Sequence, residues 1–97
     1  MKHEELIEEL HDIARQLGVT IRYERGDFEG GYCILKEQKL LLVNRRLMPQ
    51  RKASVLATAM HEIGLDNVYL KPALRGYIED EVTRSRPAAP QAPKSPP

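Results

Sequence analysis

Cysteine and large aromatic residues are scarce in this sequence. Cys33 is the only cysteine, there is one phenylalanine, and there is no tryptophan. A single thiol excludes an internal disulfide framework and also a zinc cluster built from several thiolates of one chain. Because a reducing compartment suits such a composition, we expect a cytoplasmic protein.

No charge of either sign dominates, and no long apolar run is present. The chain has 15 lysines and arginines against 14 aspartates and glutamates. This balance gives no overall field to attract nucleic acid or anionic lipid, so we expect neither as a partner. The chain also lacks the roughly 20 consecutive apolar residues that span a bilayer, and the residues after Lys2 do not resemble a secretion signal.

The hydrophobic pattern predicts one α+β domain over residues 1–83, with the element order α-β-β-β-α-α. From Glu4 to Leu17 apolar residues recur every three or four positions, which is typical of an amphipathic helix. Gly18 stands where such a helix often ends in a residue with positive φ. We therefore expect an N-terminal helix that packs one face on the core.

Three strands are predicted after this helix. Residues 19–24 alternate apolar and polar side chains, whereas residues 32–35 and 40–43 are apolar throughout. The second and third runs read as a hairpin, and we expect all three strands to form an antiparallel meander. Because two strands are apolar on both faces, they lie inside the sheet or are covered by a helix or another subunit, which suggests a homodimer.

Two further helices and a tail complete the prediction. Pro49 suits the first turn of a second helix ending at Gly64, and Pro72 suits the first turn of a third helix ending near Thr83. The third helix directs Leu74, Tyr77, Ile78 and Val82 to the core and the run Glu79-Asp80-Glu81 to solvent. Residues 84–97 contain five of the seven prolines and no large apolar residue, which predicts a disordered tail.

The pair His61-Glu62 looks like the start of the zincin motif, in which two histidines four positions apart hold zinc and the glutamate activates water. The second histidine position is Leu65, and a catalytic zinc needs three protein ligands. We interpret His61 as a surface residue and expect no cofactor. The alternative is a metal-dependent hydrolase in which His3 or His11, or a second subunit, completes the site.

A family resemblance enters through three stretches of sequence. These are Gly31-Tyr32-Cys33-Ile34, Leu42-Val43-Asn44-Arg45-Arg46-Leu47 and Ser54-Val55-Leu56-Ala57. They resemble the corresponding part of ImmA/IrrE-type metallopeptidases, which have a zincin-like fold, and the likeness covers about half of the chain. In that alignment the two metal histidines fall on Thr58 and Glu62, and the catalytic glutamate falls on Ala59. The resemblance therefore implies a zincin-like scaffold fragment that lacks the catalytic residues.

Residues 18–82 also resemble small bacterial proteins that share a Gly-Asp-Phe-x-Gly-Gly loop and a Leu-Asp-Asn-x-Tyr segment. This second resemblance implies no activity. Phe28 lies at the tip of that loop, where its ring either folds back on the core or contacts a partner.

A basic run lies around the predicted start of the second helix. Arg45, Arg46, Arg51 and Lys52 could bind an anion or nucleic acid there, because a helix N-terminus favours negative charge. No aromatic residue is interleaved to stack a base, and a solvated loop explains the run equally well.

In the tail, Arg84, Pro87 and Pro90 have the spacing of a polyproline ligand, with a flexible linker as the alternative.

The sequence as a whole favours an interaction or regulatory module over an enzyme. The metal ligands are incomplete, and two strands offer more apolar surface than one small sheet needs. We expect an unidentified protein partner and, as alternatives, the hydrolase and the anion binder described above.

Overall fold

The structure is a computed structural model that describes residues 2–35 and 37–85, with the backbone alone at 32–35 and at Ser85. Its elements are α1 (His3–Gln16), β1 (Val19–Glu24), β2 (Gly30–Leu35), β3 (Gln38–Asn44), α2 (Pro49–Ile63) and α3 (Pro72–Ser85). The α+β class and the element order agree with the prediction. α3 continues to Ser85, beyond Thr83, and the rest of the expected tail lies outside the described residues.

Helix α1 forms as its sequence pattern predicts. Leu6, Leu10, Ile13 and Ala14 are buried along one face, and the Glu5 carboxylate accepts a hydrogen bond from the Lys2 backbone N–H at 3.0 Å. This bond satisfies one of the amides that every helix leaves open at its start. Beyond the helix end Gly18 has φ +74°, a conformation that glycine adopts without strain. The chain can therefore turn directly into β1.

The strand order differs from the predicted meander, because β1 does not pair with β2. β3 is central: β1 pairs with it in parallel on one side, and β2 pairs with it in antiparallel fashion on the other. The hairpin of β2 and β3 is as predicted. The meander was wrong because alternation identifies a strand and its wet face but not its neighbour. In the observed order the strongly apolar β3 is flanked on both sides, and β1, with Arg22 and Glu24, takes an edge.

The connection between β1 and β2, residues 25–29, crosses the end of β3, and Asn44 holds it there. The Asn44 Nδ2 donates to the carbonyl oxygens of Gly26, at 2.8 Å, and Phe28, at 2.6 Å. The Asn44 backbone N–H donates to the Glu29 carbonyl at 2.8 Å. Because Asn44 is only 9% exposed, these bonds replace water for polar groups of the loop. One side chain thus fixes the crossing.

The core lies between the three helices and one face of the sheet. Its largest fully buried side chains are Leu10, Leu41, Val43, Leu56, Met60, Leu74 and Ile78. Leu41 and Val43 alternate with Leu40 and Leu42 along β3, so the latter pair belongs to the opposite face of the sheet. The main helix contacts with the sheet are those of α1 with β1 and of α2 with β2 and β3.

Helix α2 approaches the sheet closely at Gly30. A Cβ atom at Gly30 would come within 2.6 Å of the Val55 Cγ1 and 2.9 Å of the Leu42 carbonyl oxygen. A Cβ atom at Gly31 would meet nothing within 4 Å. The helix therefore packs directly against the backbone of β2 at Gly30, where no other residue fits.

We expect Asn44→Ala to destabilise the fold by about 1–3 kcal/mol, because it leaves buried carbonyl groups without a donor. It also removes the Asn44 Oδ1, which accepts the Arg46 backbone N–H at 2.9 Å. Urea denaturation of the variant and of Asn67→Ala, an exposed asparagine in the α2–α3 connection, measures the difference. Equal free energies of unfolding for the two variants would contradict the role given to Asn44.

We expect Gly30→Ala to cost about 1–3 kcal/mol, because the new methyl group overlaps Val55 and the Leu42 carbonyl. Gly31→Ala is the matched control and should change the free energy of unfolding by less than about 0.5 kcal/mol. Thermal or urea denaturation of the two variants checks this. A Gly30→Ala protein as stable as Gly31→Ala would show that α2 does not pack as described.

Candidate functional site

A cleft of about 460 Å³ opens between the start of α1, the first turns of α2 and the C-terminal half of α3. It is lined by His3, Met48, Gln50, Arg51, Ser54, Tyr77, Asp80, Glu81 and Arg84. Met48 is 72% exposed although it is a large apolar residue. The cleft therefore combines an accessible apolar side chain with several charged and hydroxyl groups, as binding sites commonly do.

Glu81 is the unusual residue of this cleft. It follows Leu74 and Ile78 on the buried face of α3, and its side chain is 10% exposed. Its Oε2 accepts a hydrogen bond from Arg84 at 2.8 Å, and the Arg84 side chain is 69% exposed. A carboxylate buried at a core position is costly unless it is paired, and its partner here lies at the surface. The prediction that Glu81 faces solvent was wrong.

Two hydroxyl groups line the same cleft as this carboxylate. Ser54 is buried on α2, and Tyr77 is half-buried on α3. Burial raises the pKa of Tyr77 to about 12, and the charge of Glu81 adds to this effect while that of Arg84 opposes it. The Tyr77 phenol therefore stays protonated at neutral pH and can donate a hydrogen bond within the cleft.

Arg51 forms one wall of the cleft and is held by Glu29. Its Nε and one terminal nitrogen donate to the two Glu29 carboxylate oxygens, at 2.6 and 2.5 Å. This hydrogen bonding lowers the pKa of Glu29 and raises that of Arg51. A bidentate pair restricts the guanidinium more than a single bond does. The crossing loop and the first turn of α2 are thereby joined.

The four residues of the predicted basic run have different surroundings. Arg45 and Arg46 are exposed in the loop before α2, and Arg51 is engaged with Glu29. The Lys52 Nζ lies 5.4 Å from the centre of the Tyr23 ring, a cation–π contact. Successive residues of a helix point about 100° apart, which separates Arg51 from Lys52. Of the four, only Arg51 lines the cleft.

His11 and Tyr23 form a second polar cluster, between α1 and β1. The His11 Nε2 and the Tyr23 hydroxyl are 2.7 Å apart, and the two rings are stacked with centroids 5.7 Å apart. Burial lowers the pKa of His11, the charge of Arg15 lowers it further, and the carboxylates of the same helix act in the opposite direction. Burial also raises the pKa of Tyr23.

The three histidines have different surroundings. His3 lines the cleft, His11 contacts Tyr23, and His61 is exposed beside a second cavity of about 430 Å³ near Asp66 and Glu79. Among the side chains that the structure describes, no three of His, Cys, Asp or Glu lie together so as to hold a metal ion. The structure thus gives His61 and Glu62, both exposed, no further ligand among the described residues.

The positions aligned with the metallopeptidase residues lie on α2. The Thr58 hydroxyl donates to backbone carbonyls of its own helix, those of Ser54 and Val55, at 3.1 Å each. Ala59 is buried in the core. The Phe28 ring packs against Gly26 of its own loop and is half-buried.

Sequence reasoning missed Glu81 as a site residue, although one signal was present. Leu74 and Ile78 are four positions apart, and Glu81 lies three positions after Ile78. The three residues therefore share one face of the helix. The run Glu79-Asp80-Glu81 concealed it, because three successive acids suggest a solvated face. Ser54 and Tyr23 carried no comparable signal.

The lowered pKa of His11 predicts a pH-dependent stability. Because the folded state favours neutral His11, its contribution is present above the ordinary pKa of 6.5 and is lost as the pH falls through the lower folded value. We expect His11→Gln to lose less stability than the wild-type protein between about pH 7.5 and 5.5, measured by urea denaturation. His61→Gln, at an exposed histidine, should keep the wild-type dependence, and equal slopes for both variants would refute the prediction.

None of the helices in the described ranges is long and apolar enough to cross a membrane.

The resemblance to ImmA/IrrE-type metallopeptidases rests on the residues quoted for it and stays a prediction. The chain matches no protein-family model, no curated protein and no solved structure.

Proposed function

We propose that this protein is a small interaction module without catalysis of its own, whose cleft binds a positively charged side chain of a protein partner. The observation that carries the proposal is the position of Glu81. Its carboxylate occupies a buried position of α3 and lines a cleft with an exposed apolar residue at its edge. Sequences depart from the hydrophobic pattern of a helix mainly where function requires it.

The pairing of Glu81 favours a cationic ligand. Arg84, the residue now paired with it, is largely exposed and lies one helical turn away. Because the Arg84 side chain is 69% exposed, a lysine or arginine of a partner can take its place beside the Glu81 carboxylate and keep that buried charge paired. Asp80 lines the same cleft and adds a second negative charge.

The apolar part of the cleft suits the same ligand. A lysine side chain has four methylene groups before its ammonium, and these groups pack on apolar surface when the charged end is bound. Met48 and Tyr77 offer such surface beside Glu81. One inserted lysine side chain would therefore pair with the buried Glu81 carboxylate and also cover Met48.

One observation supports the alternative of an anion-binding site. Arg51 and Arg84 both line the cleft, and Arg51 lies in the first turn of α2, where the helix dipole is positive. Both guanidinium groups are already paired with carboxylates, Glu29 and Glu81. The proposal gives precedence to a cation because Glu81 is buried in the cleft, whereas Arg51 and Arg84 are exposed. The hydrolase alternative gains no support from the described residues. A cytoplasmic location is part of the proposal because the chain has a single cysteine.

The test uses two short peptides, tetralysine and tetraglutamate, titrated into the full chain and followed by amide chemical shifts. We expect tetralysine to produce saturable shifts around Ser54 and Glu81. Glu81→Gln should weaken this binding about tenfold or more, since one charge-assisted contact is lost. Glu79→Gln removes an equal charge from the same helix outside the cleft and should leave the affinity unchanged.

Three outcomes would count against the proposal. Saturable shifts with tetraglutamate alone would favour the anion binder. Tetralysine binding that Glu79→Gln and Glu81→Gln weaken equally would indicate attraction to the whole helix instead of a site. No shift with either peptide would remove the cleft as the binding surface.

A further inference from the structure

The two edges of the sheet differ in their charge. β3 is central, so β1 and β2 each have one side without a neighbouring strand in the described part of the chain. β1 carries Arg22 and Glu24, whose side chains form an exposed ion pair at 2.7 Å. β2, Gly30–Leu35, has neither a charged residue nor a proline. Natural sheets usually protect an edge with such residues, and β2 has none of them.

The free side of β2 has a defined set of backbone groups. The hydrogen bond from the Asn44 N–H to the Glu29 carbonyl makes these two residues a hydrogen-bonded pair of the antiparallel ladder. Because such pairs alternate, Gly31 and Cys33 bond to β3, whereas Gly30, Tyr32 and Ile34 direct their N–H and C=O groups away from it. Gly30 and Gly31 are both exposed. The outward groups are therefore accessible at the start of the strand.

This arrangement is self-complementary. When β2 pairs in antiparallel fashion with its own copy about a two-fold axis at Tyr32, Gly30 lies opposite Ile34 of the second copy and Tyr32 lies opposite Tyr32. Each outward-facing residue then meets another outward-facing residue, so the free N–H and C=O groups satisfy one another. Opposed residues also belong to the same face of the sheet, because their numbers differ by an even amount.

The pairing creates no repulsion between like charges, since β2 has none. It also leaves the helices of both copies on the same side of one continuous sheet, because the axis is perpendicular to the sheet. An equivalent pairing of β1 would bring Arg22 and Glu24 of each copy into the interface between the two strands. The uncharged edge is thus the one suited to a second copy of this chain.

We propose that two copies of this protein associate through β2, joining their three-stranded sheets by antiparallel pairing of Gly30–Leu35 with itself. The proposal concerns a surface other than the cleft and does not depend on the proposed function. The homodimer expected from the apolar strands would then arise from the free edge of β2, not from the covering of one sheet face by another subunit.

The test is the mass of the protein in solution, measured by sedimentation equilibrium over a wide concentration range. We expect the wild-type chain to approach twice the mass of one chain as the concentration rises. Gly31→Lys should remain at the mass of one chain, because an edge lysine opposes strand pairing. A side chain at Gly31 has room within the protomer, so this variant should keep its fold, which circular dichroism checks.

Thr20→Lys is the matched control, because it places the same charge on the exposed face of the β1 edge. It should associate like the wild type. A wild-type chain that stays monomeric, or association that Gly31→Lys and Thr20→Lys change equally, would overturn the proposal.

Amide hydrogen exchange provides an independent measurement that needs no variant. In the dimer the amides of Gly30, Tyr32 and Ile34 should be protected along with those of Gly31 and Cys33. Rapid exchange at the first three, at a concentration where the doubled mass is observed, would show that another surface joins the copies. Protection that rises with concentration at these three positions supports pairing through β2.

Discussion

The hydrogen bonds of the Asn44 carboxamide are the constraint on which the arrangement of this protein depends. They hold the connection between β1 and β2 across the end of β3, and so allow β3 to lie between two neighbours. The same residue ends β3 and precedes the loop that leads into α2. The position of α2, and with it the cleft, follows from this junction. Arg51 reinforces it, because its pair with Glu29 joins the loop to the helix.

Within the cleft, α3 has a polar residue where its pattern calls for an apolar one. An apolar side chain at Glu81 would extend the core and leave less polar surface between α2 and α3. The chain instead buries a carboxylate in the cleft that Ser54 and Tyr77 also line, and pairs it with an exposed arginine. Burying a charge in this way sacrifices stability, which a domain of this size has in small measure. Such a sacrifice is typical of a surface that binds something.

The sequence predicted the elements well because their signals are local. Pro49, Gly64 and Pro72 mark helix ends through their own backbone preferences, and the structure places those ends there. The strand order was wrong because a meander and a crossing give the same alternation of side chains. What distinguishes them is a set of contacts from Asn44 to residues about 16 to 18 positions earlier. No pattern in a single sequence identifies such contacts.

The site was predicted only in part, for a related reason. The basic run identifies Arg51 as a charged residue, but spacing along the chain does not identify its neighbours in space. Helix geometry directs Lys52 to Tyr23 instead. The sequence suggests His11 only as a metal ligand, and its actual partner, Tyr23, lies on a strand 12 residues away. Tertiary pairs of this kind depend on how elements pack, which composition and spacing do not specify.

The crossing also determines how much chain entropy each strand pairing costs. Leu35 pairs with Gln38, so the ladder of β2 and β3 starts from a very short loop. Val19 pairs with Lys39, and this parallel ladder closes a loop that contains the whole of β2. Closing the longer loop costs more entropy and gives contacts of higher contact order, the kind associated with slow folding. In this small sheet the parallel ladder of β1 is therefore the costlier one for the chain to close.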